Sequence, residues 1–160
     1  MEESIHHADL AVEYAPDAAT PREQRMQVLL VVFERHSSDQ RRYETIAHTI
    51  IEDATKVIQT RQWELSRLAA SKEVSLDGSA DLSKNINQHR AKLYETYAIR
   101  GIALYRMKYT GAACDDFNKA AEIEPSEFLL NFIGRCHRDF GEGQLALQGK
   151  HINCISIKNP

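Results

Sequence analysis

The spacing of apolar residues predicts helices in this chain. From Gln40 to about Ala70 the sequence contains no Gly or Pro, and apolar side chains recur every three or four residues. This is the period of an amphipathic helix with one buried face. The pattern fits one long helix, or two helices that meet near residues 60–63. Its apolar positions are Tyr43, Ile46, Ala47, Ile50, Ile51, Ala54, Val57, Ile58, Leu65, Leu68 and Ala69.

The start of the first predicted helix is marked by Thr20 and Pro21. Thr is a favoured N-cap residue, and Pro is favoured at the first helical position because its missing N–H needs no partner there. We therefore expect a helix over about 22–37. The polar residues 1–20 before it are expected to form a flexible N-terminal arm with one or two helical turns.

A loop over about 71–80 separates the long helical stretch from the next one. Asp77 and Gly78 supply its turn signal, and a further helix is expected over about 81–107. No strand-like alternation of apolar and polar residues occurs along the sequence. The chain is therefore predicted to be all-α, with a single helical domain over 21–160.

Small and apolar residues fall at fixed intervals within residues 94–125. A polar turn at 108–111 divides this stretch into two halves of helix length. The pattern predicts two antiparallel helices that cross so closely that only Gly and Ala fit at the contact. Phe117 is expected to fill the gap, and Pro125 to end the second helix. The key positions, at successive steps of twelve, four, three and five, are Gly101, Ala113, Phe117, Ala120 and Pro125.

This spacing resembles the tetratricopeptide repeat (TPR), a helix–turn–helix unit with a period of about 34 residues. Gly134 and Ala146 repeat the step of twelve 33 residues later, in a weaker copy over 127–160. Lys150 and Asn153 stand there in place of the large apolar residue and the second small one. The same period also occurs in ankyrin repeats, but their TPLHxA signature is absent. The resemblance implies an antiparallel helix-hairpin array, a TPR-like right-handed stack, with an N-terminal helical pair.

A degenerate copy in the N-terminal third is left open. Ala47, Ile51 and Ala54 keep the four-then-three step, but Arg35 stands where the repeat has Gly. Many amphipathic helices offer such spacings, so the pattern alone does not decide between a repeat and an ordinary helix pair.

Charge and composition restrict the function classes. The 160 residues carry a net charge of −3, and the sequence pI is near 6.2, which argues against nucleic acid or an anionic membrane as partner. No apolar run approaches the ~18 residues that span a bilayer. The three cysteines, an odd number without framework spacing, indicate reduced thiols in a cytosol. We expect a cytoplasmic protein.

Candidate chemistry is sparse. Cys136, His137, His151 and Cys154 offer four zinc donors, but adjacent residues on a helix point about 100° apart, which disfavours a shared metal. Residues 77–88 alternate oxygen donors like a calcium loop, yet lack its Gly at the sixth position and Glu at the twelfth. No hydrolase triad order, phosphate loop or HExxH occurs. The sequence predicts no catalytic residues, no metal and no cofactor.

The resemblance also implies a function. In TPR stacks the first helix of each repeat lines a concave groove that receives peptides. Only Asn131 matches the Lys and Asn residues with which TPR co-chaperones clamp a terminal carboxylate, so that role is disfavoured. We expect a non-enzymatic adaptor or scaffold that binds another protein or a peptide segment. The expected groove residues are Ala98, Ile102, Arg106, Asn131, Arg135 and Arg138.

Two alternatives stay open at this point. One is a dedicated secretion chaperone of the small bacterial TPR type, with which the length and acidity agree. The other is a structural subunit that assembles through exposed helix ends into a homo- or hetero-oligomer, because stacked repeats need about three units to be stable alone.

Overall fold

The computed structural model describes residues 2–35, 40–74 and 80–139, and these ranges consist of helices joined by short turns. No strand occurs in them, so the predicted all-α fold is confirmed. The helices are α1 (Glu2–Tyr14), α2 (Ala19–Arg35), α3 (Gln40–Val74), α4 (Ala80–Arg106), α5 (Thr110–Ile123) and α6 (Glu127–Asp139).

Each helix packs on the one before it and the one after it, as an array of antiparallel hairpins. The order of the contacts shows the antiparallel direction. Phe33 near the end of α2 stacks on Tyr43 near the start of α3, and Arg22 near the start of α2 binds Asp53, farther along α3. Likewise, Thr110 at the start of α5 lies close to Cys136 near the end of α6. α2 also contacts α4. Alternate helices therefore lie side by side, which is the helix-hairpin array that the sequence predicts.

The N-terminal segment is more ordered in structure than the one or two turns expected for it. Residues Glu2–Tyr14 form a 13-residue helix that packs against α2. Val12 is buried, and Asp9 accepts a hydrogen bond of 2.9 Å from Arg25 of α2. The polar composition of this segment concealed the helix because contacts with distant residues, among them Asp9 with Arg25, hold it in place.

Three further boundaries differ from the prediction. The stretch after Gln40 is one 35-residue helix, about 52 Å long at 1.5 Å per residue, without a break near residues 60–63. Residues 71–74 belong to it, because the first Gly or Pro lies only at Gly78; residues 75–79 of the expected loop lie outside the described ranges. Thr20 is not an N-cap, because α2 begins at Ala19. Pro21 still lies in the first turn, where N–H groups have no helical partner.

The turn between α4 and α5 closes α4 with a Schellman motif. The N–H of Tyr109 donates to the carbonyl of Leu104 at 2.9 Å, and the N–H of Lys108 donates to Tyr105 at 3.1 Å. Lys108 has φ of 66°, in the left-handed region that this motif requires. The polar turn expected at 108–111 thus reverses the chain and places α5 back against α4.

The close approach predicted at Gly101 is present. A Cβ added to Gly101 would lie 2.7 Å from Cε1 and 2.9 Å from Cδ1 of Phe117, both closer than real Cβ contacts. Phe117, Ala113 and Ala120 are completely buried, and α5 ends at Ile123, two residues before Pro125. The small residues therefore let the α5 backbone come close enough for Phe117 to fill the contact.

Only the first half of the weaker repeat copy over 127–160 lies within the described residues. α6 carries Gly134, and nothing lies within 4 Å of a Cβ built there. Ala146, Lys150 and Asn153 lie outside the described residues. In the N-terminal third Ala47 and Ala54 are buried in α3, and whether α2 and α3 form a degenerate repeat stays a prediction.

Replacing Gly101 with Ala is expected to lower the free energy of unfolding by up to about 2 kcal/mol, which is the usual cost of overpacking a close-packed core, about 1–3 kcal/mol, less the gain in helix propensity. The added methyl group must displace a rigid, fully buried ring, and this outweighs the gain in helix propensity, about 1 kcal/mol. Gly134→Ala is the matched control, since its methyl group meets open space and only the propensity gain applies. Urea unfolding of both variants tests this; equal shifts in the two would contradict it.

Candidate partner-binding surface

α4 and α6 run side by side in the same direction. Tyr94 lies near the middle of α4, and its hydroxyl is 3.2 Å from the hydroxyl of Ser126, the residue just before α6. Tyr105, near the end of α4, donates to Asp139 at the end of α6 over 2.7 Å. The earlier residue thus pairs with the start of α6 and the later residue with its end, so the two helices are parallel.

Phe132 of α6 completes this arrangement. Its ring meets Tyr105 edge-on, with centroids 5.9 Å apart, and lies 4.9 Å from the ring of Phe117. Such aromatic pairs stabilise by about 0.5–1.5 kcal/mol beyond their buried area. The hydrogen bond to Asp139, and burial after it, raise the pKa of Tyr105, so its hydroxyl stays protonated and donates at neutral pH.

The three expected groove residues on α4 differ in accessibility. Ala98 is buried, with 9% of its surface exposed, and Ile102 packs half-buried against the same core cluster. Arg106 is exposed. Of these three residues only Arg106 is exposed, because Ala98 belongs to the core and Ile102 is half-buried against it.

The three expected residues on α6 are all exposed. Asn131, Arg135 and Arg138 follow one another at steps of four and three, so they share one helix face. The opposite face packs into the core through buried Leu129, Ile133 and Cys136. The guanidinium of Arg135 lies 5.7 Å from the centroid of the Phe132 ring, and this contact orients its side chain over an aromatic surface.

Large apolar side chains accompany these polar ones. Phe128 and Leu130 are 49% and 41% exposed, and Phe128 lies 4.9 Å from Phe132 between ring centroids. Arginine and exposed aromatic residues together are typical of the energetically important parts of protein–protein interfaces. The outer face of α6 therefore has the composition of a contact surface.

A buried ion pair supports α4 from behind, and sequence reasoning missed it. Arg100 makes two hydrogen bonds to Asp116 of α5, of 2.7 and 2.8 Å, and one of 2.9 Å to Thr55 of α3. Hydrogen bonding to Asp116 raises the pKa of Arg100, so the cation persists although it is mostly buried. The available signal was positional: Arg100 and Asp116 directly precede Gly101 and Phe117.

The surface has two depressions near this site. One, of about 290 Å³, is lined by Thr55, Arg100, Asp116 and Lys119 among others, behind α4. The other, of about 510 Å³, lies at the α4–α5 turn beside Asp139. In the first, Arg100 binds Asp116 and Thr55, and in the second, Asp139 accepts a hydrogen bond from Tyr105.

Two searches of the described residues concern metals and membranes. Among residues 2–35, 40–74 and 80–139, no three His, Cys, Asp or Glu side chains are grouped so as to hold a metal ion. The helices within the same ranges include none long and apolar enough to cross a membrane. His151 and Cys154 of the considered zinc set lie outside the described part of the chain.

Comparison with known proteins identifies no family: no family model, no curated protein and no solved structure matches the chain. The TPR resemblance therefore stays a prediction that depends on the residue spacing within 94–125.

Tyr105→Phe is expected to loosen α6 while leaving the aromatic contact with Phe132 in place. Loss of the hydrogen bond to Asp139 removes about 1 kcal/mol, and backbone amides of α6 should exchange hydrogen several-fold faster. Tyr109→Phe is the control, because Tyr109 is half-exposed in the adjacent turn. Hydrogen exchange read by mass spectrometry measures the effect, and an unchanged rate in Tyr105→Phe would show that α6 does not depend on this bond.

Proposed function

We propose that this protein is a non-enzymatic, cytoplasmic adaptor or scaffold of the TPR type, which binds a segment of a partner protein along α4 and α6. The mechanism is binding to a preformed surface, with no cofactor and no chemical step. A rigid helical surface needs little ordering on binding, so more of the contact energy appears as affinity.

The observation that carries this proposal is the parallel arrangement of α4 and α6. Tyr94 and Tyr105 attach the two ends of α6 to α4. Arg106 on α4, and Asn131, Arg135 and Arg138 on α6, are exposed. The helices α4 and α6 thus offer polar side chains beside half-buried Ile102, as a peptide groove requires.

The charges on this surface indicate the chemistry of the partner segment. Arg106, Arg135 and Arg138 are cationic in a chain whose net charge is −3. Guanidinium groups pair with carboxylates through two parallel hydrogen bonds. Half-buried Ile102 and exposed Phe128 add apolar contact. The proposed ligand is therefore a segment that combines acidic with apolar side chains.

The double substitution Arg135→Glu/Arg138→Glu tests this surface. Charge reversal of the α6 face should repel an acidic segment and reduce capture of the partner from the native source at least tenfold. A tenfold loss in affinity corresponds to about 1.4 kcal/mol. Helical content and thermal midpoint should stay close to wild type, since both residues are exposed.

Lys84→Glu/Arg90→Glu is the matched control. It makes the same change in net charge at exposed positions in the first half of α4, away from α6. Retention of the partner by the control and loss by the α6 variant would support the proposal. Equal retention by both would refute the assignment of the groove to α6, and equal loss would indicate attraction by overall charge.

A structural subunit that assembles through its helices is the second candidate, and the exposure of Phe128 and Leu130 favours it. Two large apolar side chains on one short helix are costly to leave in water. If the protein is such a structural subunit, the full chain should sediment as a dimer or larger species at micromolar concentration. Phe128→Ser/Leu130→Ser should then shift it to monomer. A wild-type chain that is monomeric in sedimentation equilibrium excludes self-assembly.

A further inference from the structure

Two cysteines meet at the contact between α5 and α6. Cys114 is 8% exposed and Cys136 is fully buried, and both belong to one core cluster. The Cys136 sulfur lies 3.9 Å from the backbone oxygen of Thr110, one helical turn before Cys114 on α5. The Cys136 sulfur therefore lies beside the turn of α5 that carries the other thiol.

The two thiols also contact each other. Burial, and after it a hydrogen bond with the Cys114 thiol, raises the pKa of Cys136 well above its usual range. A thiol held in this way is seldom ionised, and the thiolate is the form that oxidants attack. Cys114, which keeps a small exposed fraction, is consequently the thiol that an oxidant reaches first.

We propose that Cys114 and Cys136 form an oxidisable pair, which a peroxide converts into a disulfide that ties α6 to α5. Peroxide first transfers one oxygen to the Cys114 sulfur, which gives a sulfenic acid and releases water. The Cys136 sulfur then attacks the Cys114 sulfur, a sulfur–sulfur bond forms, and the sulfenic oxygen leaves with the Cys136 proton as a second water. Two thiols are oxidised and one peroxide is reduced.

The consequence of this bond concerns α6. The helix packs on α5 and is attached to α4 through Tyr94 and Tyr105. A disulfide adds a covalent attachment between the first half of α5 and the second half of α6, and it closes a loop in which 21 residues separate Cys114 from Cys136. Oxidation would hold the helix that carries Asn131, Arg135 and Arg138. This inference goes beyond the proposed function and does not depend on it.

The test uses the full-length chain with Cys154→Ser, so that two thiols remain, and hydrogen peroxide as the oxidant. The folded protein should lose both free thiols without forming dimers, and its intact mass should fall by two hydrogen atoms. Trypsin digestion without reductant should join peptide 109–119 to peptide 136–138, and dithiothreitol should separate them. The thermal midpoint of the oxidised form should be higher than that of the reduced form.

Controls separate a native pair from incidental oxidation. Cys114→Ser and Cys136→Ser, each combined with Cys154→Ser, should show no linked peptides. The Cys136→Ser variant should accumulate sulfinic acid at Cys114 or intermolecular dimers, whereas the Cys114→Ser variant should leave the buried Cys136 thiol unreacted. The wild-type chain should give the same 109–119 to 136–138 link. The proposal is overturned if the folded chain is only over-oxidised, does not react, links Cys154 instead, or forms the bond faster in urea than in buffer.

Discussion

The contact between Gly101 and Phe117 is the constraint on which the described hairpins depend. Phe117 fills the space that a Cβ on Gly101 would need, so α4 and α5 approach at the distance set by a bare backbone. The ring of Phe117 also contacts the ring of Phe132 on α6. A single buried aromatic side chain thereby relates three helices, and interiors packed to this density transmit any change in its position.

Buried ion pairs provide a second set of constraints along the array. Asp53 of α3 is buried and binds Arg22 and Arg25 of α2, and Arg25 also binds Asp9 of α1. Arg61 of α3 binds Glu23 of α2 through two hydrogen bonds. Because an unpaired buried charge costs several kcal/mol, each pair permits one register between its helices. We infer that these pairs specify alignment, while apolar burial supplies most of the stability.

Sequence patterns predicted the parts of this fold that depend on local repetition. The apolar period after Gln40 predicted helix there, and the steps from Gly101 to Ala120 predicted a close helix pair. Other features depend on distant partners. α1 is short and polar, and its contacts with Arg25 and α2 are visible only after folding. The absence of Gly and Pro around residues 60–63 allowed one continuous helix there, but a helix can also end without a breaker, so the sequence left open whether there were one or two.

The features of the candidate surface also fall into those that local sequence predicted and those that depend on distant residues. Helical phase placed Asn131, Arg135 and Arg138 on one face of α6, and their exposure agrees with that phase. Phase alone did not show that Ala98 lies in the core, since burial depends on which neighbouring helix covers a face. The attachment of α6 by Tyr94 and Tyr105, and the pairing of Arg100 with Asp116 and Thr55, join residues 16 to 45 positions apart.

The sequence by itself determined the helical character of residues 2–35, 40–74 and 80–139 and the close α4–α5 crossing, because periodicity and residue size act between neighbours three to sixteen residues apart. Only the tertiary structure decided which side chains of the six helices are exposed, which charges are paired in the interior, and that Cys114 meets Cys136. Those outcomes require the helices to be placed against one another. That placement is the combined result of many contacts between segments distant in the chain, each too weak to be read from local sequence.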